Sequence, residues 1–257
     1  MGEIISELPS DYAIEAQNLV KKYSPEITAV NNVDLNVRTG ELFGFLGPNG
    51  AGKTTTINIL CGLLPPTAFS RLKVGKFDVI TEIQKIKKII GVCPQEPVLF
   101  DYMSARQNMQ FFGDLFNVPS VTLKTRIQHL LTALALEEEG HRKIKQYSGG
   151  MKRRVNFAVA LINDPAILFL DEPTQALDPQ ARLTVWSMIE DLKKHGKSIL
   201  LTTHYIEEAD RLCDRVAIID HGQIIAIGTP RDLKTKYNVK TLEDVFIHLT
   251  GRQIRTE

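Results

Sequence analysis

The sequence predicts an α/β fold: a largely parallel sheet with helices between its strands, and a helical lobe inserted between the two halves of that sheet. Three observations carry the expectation. Apolar runs too short for helices, such as Ile167 to Leu170 and Ser198 to Thr202, read as strands buried on both faces. Amphipathic helical patterns alternate with them, as βαβ units require. From about Phe100 to Lys145 the helical patterns run on without a convincing strand, with Leu123, Ile127, Leu130, Leu131 and Leu134 along one face.

The elements follow in order. Glu41 to Leu46 (ELFGFL) is a short apolar strand that runs into a glycine-rich stretch ending at Lys53. A helix is expected from about Lys53 to Leu64, with Pro65 and Pro66 placed to stop it. Ile83, Ile86, Ile89 and Ile90 fit one helical face, which leaves the lysines of the 85–88 run in solvent. A further helix is expected from Lys152 to Leu161. Its leading cations Lys152, Arg153 and Arg154 could reach phosphate or anionic lipid, or could form a solvated helix start. Ile167 to Leu170 is a buried strand between Asp164-Pro165 and Asp171. From Pro179, Leu183, Trp186, Ile189 and Leu192 recur every third residue, with Val185 beside them, so an amphipathic helix should end near His195-Gly196. Ser198 to Thr202 is the next strand. Val216 to Asp220 and Gln223 to Ile227 flank His221-Gly222 as a hairpin. Leu242, Val245, Phe246 and Leu249 mark a terminal amphipathic helix.

Composition narrows the function. Among 257 residues, 43% are hydrophobic and 24% charged, which is globular rather than disordered. A formal net charge of +1 gives no electrostatic reason to expect nucleic acid as a partner. No apolar run approaches the ~20 residues of a membrane-spanning helix. Met1 to Ser10 carries Glu3 and Glu7 and lacks a signal-peptide pattern. Cys61, Cys93 and Cys213 have no metal or redox spacing, and they are expected as small core residues in a reducing compartment. His129, His141, His195, His221 and His248 show no ligand spacing either.

Two motifs carry chemistry. Gly47-Pro48-Asn49-Gly50-Ala51-Gly52-Lys53-Thr54-Thr55 fits the phosphate-loop pattern G-x-x-x-x-G-K-[ST], between a strand and a helix. Crowded phosphate oxygens suit a nest of backbone N–H groups at a helix N-terminus, and glycine lets the backbone approach them. Lys53 would reach the β- and γ-phosphates, and the Thr54 hydroxyl would ligate Mg²⁺. The second motif is Ile167 to Glu172, where a carboxylate at the end of a buried strand beside such a loop can hold the Mg²⁺ shell, the task of Asp171. Glu172 would then polarise the attacking water. The two motifs imply a P-loop NTPase, either a hydrolase or a kinase.

Gln146-Tyr147-Ser148-Gly149-Gly150-Met151 resembles the LSGGQ signature of ATP-binding cassette (ABC) proteins, and the resemblance covers nearly the whole chain. Tyr147 and Met151 depart from the consensus at its outer positions. The order also matches: signature, strand, Asp171-Glu172-Pro173-Thr174, Leu177-Asp178, then His204. Gln95, in Gly91-Val92-Cys93-Pro94-Gln95, stands where the family carries its Q-loop glutamine, and Tyr23 where an aromatic stacks on adenine. The resemblance implies the ABC ATPase fold: a RecA-like P-loop core (11–95 and 148–235) with an antiparallel β-lobe, an inserted helical lobe (96–147) ending at the signature, and a helical tail (236–257).

It also implies mechanism. Two copies, or this chain and a homologous ATPase, pair head to tail around two ATP molecules. Ser148, Gly149 and Gly150 of each copy close on the other's γ-phosphate, His204 positions the water, Gln95 joins the Mg²⁺ shell and Asp178 couples the two sites. Gln146 to Arg154, Asp171 to Arg182 and Thr241 to Arg252 are similar to the drug, lipid and polysaccharide exporter branch typified by daunorubicin-resistance ATPases. Gln175-Ala176 departs from the usual small Ser/Thr-Gly, and Ala68-Phe69-Ser70 from the usual Ser-Gly turn before the β-lobe strand. A separate polytopic permease must supply the path, touching the groove between the Gln95 loop and the helical lobe around Pro97 to Met103, with the chain peripheral on the cytoplasmic face of the cell membrane. The rival readings are a non-transport ABC ATPase acting on DNA or the ribosome, and a P-loop small-molecule kinase, which would not need Ser148 to Gly150.

Overall fold

The structure, a computed structural model, describes residues 11–251; the expectations placed on Met1 to Ser10 and on Arg252 to Glu257 lie outside the described residues. Tyr12–Lys22 (β1) and Thr28–Arg38 (β2) form a long antiparallel pair whose register slips around Asn18 and Asn32, at φ 49° and 52°. Asparagine tolerates that left-handed region, so it suits a bulge. Leu42–Leu46 (β3) is followed by Lys53–Leu60 (α1). Arg71–Val74 (β4) and Phe77–Asp78 (β5) return to the first pair, giving a four-stranded antiparallel sheet ordered β2-β1-β4-β5. The irregular Ala68-Phe69-Ser70 segment is tied along β1, with the Val20 N–H donating to the Ala68 carbonyl at 2.8 Å and the Ser70 N–H to that of Gln17 at 2.9 Å.

Ile83–Ile89 (α2) leads into Ile90–Cys93 (β6). Then come Ala105–Leu115 (α3) and Ser120–Ala133 (α4), a 3₁₀ turn at Ile144–Gln146, and Gly149–Ala160 (α5). The rest alternates: Ile167–Asp171 (β7), Pro179–Lys194 (α6), Ser198–Thr203 (β8), Ile206–Leu212 (α7), Arg215–Asp220 (β9), Gln223–Gly228 (β10), Pro230–Lys236 (α8) and Leu242–Thr250 (α9). The six-stranded sheet is ordered β10-β9-β3-β8-β7-β6 and is parallel except for the β9–β10 hairpin.

Every residue of β3, β7 and β8 is buried, as strands covered on both faces must be. Their side chains alternate between two apolar layers. Leu42, Leu168, Leu170 and Leu201 pack with Met109, Leu130, Phe157, Trp186 and Phe246, so the helical segment shares the sheet's own core. Phe43, Phe45, Phe169 and Leu200 pack on the other face with Ile57 and Ile59 of α1 and Leu35 of β2. All three cysteines are buried free thiols, and burial pushes Cys93 up to about 11, far from reactive.

Several expectations are corrected. Helix α1 ends at Leu60, before Pro65 and Pro66, because Gly62 adopts φ 69° directly after the Cys61 cap. Ile90 belongs to β6 rather than to the helical face of Ile83, Ile86 and Ile89. Leu183 is 50% exposed, so the inward face of α6 is carried by Ala181, Val185, Trp186 and Ile189. The cations after Gly150 form no solvated start. Lys152 pairs with Asp101 at 2.9 Å, Arg154 donates to the Leu134 and Ala135 carbonyls at 2.8 and 3.2 Å, and Arg153 is 4% exposed.

Candidate functional site

Sheet register decides what meets at the site. Strands β3, β8 and β7 are parallel neighbours; Leu46 lies opposite Thr203, and Thr202 opposite Asp171. The chain therefore leaves all three strands at one level and on one edge, with Gly47, Glu172 and His204 as the next residues. The carboxyl ends of parallel strands, at the point where the strand order reverses, are where α/β sheets bind ligands. The Gly47 N–H donates to the Thr203 carbonyl at 3.3 Å, and the Glu172 N–H to that of Thr202 at 3.1 Å, which stitches the three exits together.

The 47–55 loop turns sharply at this edge. Gly50 and Gly52 adopt φ 79° and 103°. A Cβ on Gly47 would lie 2.4 Å from the Ile219 carbonyl oxygen, and one on Gly52 2.3 Å from that of Ala29, so both positions exclude side chains. Gly52 begins α1 without a side-chain cap, which leaves the helix's first N–H groups for a ligand. Ala51 packs inward, while Asn49 and Gly50 face out beside the half-buried Pro48. The Lys53 ammonium donates to the Gly47 and Pro48 carbonyls at 2.7 and 3.1 Å and lies 3.3 Å from Glu172 Oε1. Thr54 is exposed at the helix start, and Thr55 Oγ1 lies 3.5 Å from the Tyr23 hydroxyl. Tyr23 is 57% exposed, and although the Lys21 ammonium lies 5.5 Å from its ring centroid, the ring still presents surface for a flat partner beside the loop.

Glu172 is the centre of this arrangement. It is 4% exposed, and its second oxygen lies 2.9 Å from His204 Nδ1. Burial alone would raise its carboxyl, but the His204 hydrogen bond and the Lys53 charge outweigh that and hold it below the ordinary carboxylate range. Burial acts in the opposite direction on Lys53 and lowers it, although Glu172 resists. Glu172 also adopts φ 50°, a left-handed conformation costing a non-glycine residue about 1–2 kcal/mol. Strain of this kind persists where the surroundings over-determine it, typically at working sites. Beside it Asp171, 2% exposed, accepts a hydrogen bond from the Thr202 hydroxyl. The arrangement offers a phosphate cradle, a buried carboxylate kept ionised, and an imidazole that fixes the carboxylate's orientation.

The Gln95 amide donates to Gln175 Oε1 at 3.2 Å, so the residue that departs from the family pattern has a partner. Its neighbour Ala176 sits at φ 59°, which explains why glycine is usual there. Ala176→Gly should relieve a left-handed strain of about 1–2 kcal/mol against an entropy cost of about 0.5–1 kcal/mol. The net gain, between about 0 and 1.5 kcal/mol, should raise the thermal midpoint by up to about 3–6 °C in a melting experiment; a fall would show the strain to be absorbed locally. Asp178 caps α6 by accepting from the Ala181 N–H at 2.9 Å, and that bond above all lowers its carboxyl. Ser148 caps α5 in the same way, accepting from the Met151 N–H at 3.2 Å. Among the described residues no hydrogen bond or ion pair joins Ser148, Gly149 or Gly150 to the 47–55 loop. Within one copy, these residues form a second helix start, exposed at Ser148 and Gly149.

Sequence reasoning missed three contributors. In sequence Thr202 is only the end of a strand, and Gln175 only a departure from a pattern. Arg153 resembles a surface or phosphate-seeking cation, yet its spacing from Phe157 and Ala160, four and seven residues on, already places it on the inward face of α5.

Comparison with known proteins adds to this geometry. The model of the ABC transporter family matches residues 30–175. A daunorubicin resistance ATP-binding protein of Streptomyces coeruleorubidus is 41% identical over 227 residues, covering 88% of this chain and 71% of that protein. A Nod factor export ATP-binding protein I of Ralstonia nicotianae is 42% identical over 222 residues, covering 86% and 68%. Among solved structures, a dimeric, post-hydrolysis state of an ATP-binding cassette bound to ADP and Pi superposes with a TM-score of 0.78 at 28% identity, covering 84% of this chain and 98% of that one.

Proposed function

Because this chain belongs to the ABC transporter family, we propose that two copies close head to tail around two ATP molecules and that hydrolysis drives a separate polytopic permease. The chain is an ATP-binding and ATP-hydrolysing subunit of an exporter-type transporter. The observation that carries the division of labour is the Lys53–Glu172–His204 chain of contacts, set beside a glycine-built cradle at the exits of three parallel strands.

In this reading the N–H groups of the 47–55 loop hold the β- and γ-phosphates, and Lys53 exchanges its Glu172 and carbonyl partners for phosphate oxygens. Tyr23 stacks on adenine. Glu172, ionised and no longer neutralised by Lys53, accepts a proton from the attacking water. His204 orients Glu172 and contacts the γ-phosphate. The second copy supplies Ser148, Gly149 and Gly150 to the same phosphate, and Asp178 lies across the joint. Mg²⁺ fits the residues present: one buried carboxylate, Asp171, and one exposed hydroxyl, Thr54, with the Gln95 amide oxygen, would hold it as hard oxygen donors. When bound, it would neutralise phosphate charge. The lobes divide as 11–95 with 148–235, 96–147 and 236–257.

The permease contact is a groove of about 1070 Å³ lined by Leu63, Val98, Leu115 and Phe116, with Lys87 and Lys88 on its rim. Leu63, Val98 and Leu115 are each more than 60% exposed, an apolar patch suited to an insertion from a partner. In this reading the chain works peripherally on the cytoplasmic face of a membrane, and its transporter exports a drug, lipid or polysaccharide. Purification from native membranes tests the reading: Mg²⁺-dependent orthophosphate release should accompany a co-purifying polytopic protein. Val98→Glu should abolish the co-purification and leave basal hydrolysis within about twofold of wild type, since the groove lies outside the nucleotide site. Co-purification of ribosomes or DNA alone, or phosphate transfer to an acceptor other than water, would reject it.

A further inference from the structure

Arg153 projects from α5, five residues after Ser148, and its guanidinium is almost wholly buried. A guanidinium has five N–H donors in a rigid fork. Here all five have acceptors, and every acceptor is a main-chain carbonyl. Nε donates to Pro173 at 3.2 Å; Nη1 donates to Pro94 at 2.8 Å and also to Gln95; Nη2 donates to Asp171 and Glu172. Those carbonyls belong to two segments only, the one leaving β6 and the one leaving β7.

The identity of the acceptors decides the role. An arginine placed to neutralise charge would meet carboxylates, whereas this one meets the backbone beneath them. It grips the peptide units that aim the Asp171 and Glu172 side chains and, with the same plane, those that aim Gln95. The Gln95–Gln175 hydrogen bond closes a second link between the two segments. Any displacement of the Ser148 end of α5 is therefore felt at both segments through one stiff side chain.

We propose that Arg153 is a positioning residue for ATP hydrolysis, holding the Gln95 segment and the Asp171–Glu172 segment in register with the helix that carries Ser148–Gly150. The proposal rests on the hydrolytic reading above, and the test separates the two: wild-type protein without ATP turnover defeats that reading, while only the variants speak to Arg153.

The experiment compares wild type, Arg153→Lys and Arg153→Gln in the complex purified from membranes. Lysine keeps the charge but concentrates its donors on one nitrogen, which cannot span five carbonyls on two segments. Per folded molecule, kcat should fall about 10–100-fold in Arg153→Lys while KM for ATP stays within about threefold, and Arg153→Gln should fall at least as far. In the nucleotide-free protein, amide hydrogen exchange should rise in both 92–96 and 171–175, with other regions unchanged. The proposal is overturned if kcat stays within about twofold of wild type, if exchange rises in one segment alone, or if activity falls only in proportion to the folded fraction. It is equally overturned if neither variant folds, since Arg153 would then be a requirement for folding rather than for register.

Discussion

Glu172→Gln should lower ATP hydrolysis by roughly 10²–10⁴-fold, the scale of a lost general base, while ATP binding survives or tightens. That range corresponds to about 2.7–5.4 kcal/mol on the barrier. Tighter binding is expected because Glu172 already engages Lys53. Lys53, 5% exposed, lies 3.3 Å from one Glu172 oxygen, and His204 lies 2.9 Å from the other. A triphosphate must draw Lys53 away from that carboxylate, so the carboxylate competes with the substrate for the same ammonium. Glutamine removes the competing charge and keeps the shape, while the Gly47 and Pro48 carbonyls still hold Lys53. The variant should therefore accumulate as an ATP-bound dimer, measured as an ATP-dependent shift in size-exclusion chromatography and as orthophosphate release under single turnover. Turnover within about tenfold of wild type would remove Glu172 from the role of base.

Much of this site is legible in the sequence, and the part that is not has a physical reason. Gly47 to Thr55 declares itself because a phosphate cradle needs glycines at fixed spacing, and the structure shows the reason at Gly47 and Gly52, where a Cβ would collide with the Ile219 and Ala29 carbonyls. The strands β3, β7 and β8 are legible because burial on both faces leaves continuous apolar runs. The long pair β1–β2 is not, because its bulges at Asn18 and Asn32 break the two-residue alternation that marks a strand. Arg153 and Gln175 stay hidden for a different reason. The partners of Arg153 are main-chain carbonyls some 20 to 60 positions away, which leave no trace in side-chain identity, and the partner of Gln175 is a side-chain amide 80 positions away, which no local pattern reports. The left-handed backbone of Glu172 is invisible as well, since nothing in the letter E reports a φ of 50°.

Gly149→Asp should abolish hydrolysis, to below about 1% of wild type, the scale of one lost anion-binding donor, while leaving ATP affinity of the single chain nearly intact. Stability separates this expectation from ordinary damage. Gly149 is the first residue of α5, it is exposed, and a Cβ added there meets nothing within 4 Å. Within one copy the substitution is therefore free of collision. Aspartate is itself a weak helix former, so replacing glycine by it gains only about 0.3 kcal/mol of helix propensity. An acidic side chain in a first turn, here one with no acidic residue, gains about 0.3–1 kcal/mol from the helix dipole. The melting temperature should hold or rise while activity vanishes, and Gly149→Ala should show the same opposition more mildly. Such opposition has one economical source: the cost falls on something outside the chain that comes close to Gly149, and an anion brought by a second copy fits an exposed helix start whose serine cap faces solvent. Equal loss of ATP affinity and hydrolysis in Gly149→Asp would place Ser148 to Gly150 in the same-chain pocket, contrary to their separation from the 47–55 loop. Undiminished hydrolysis would remove the pairing of copies altogether.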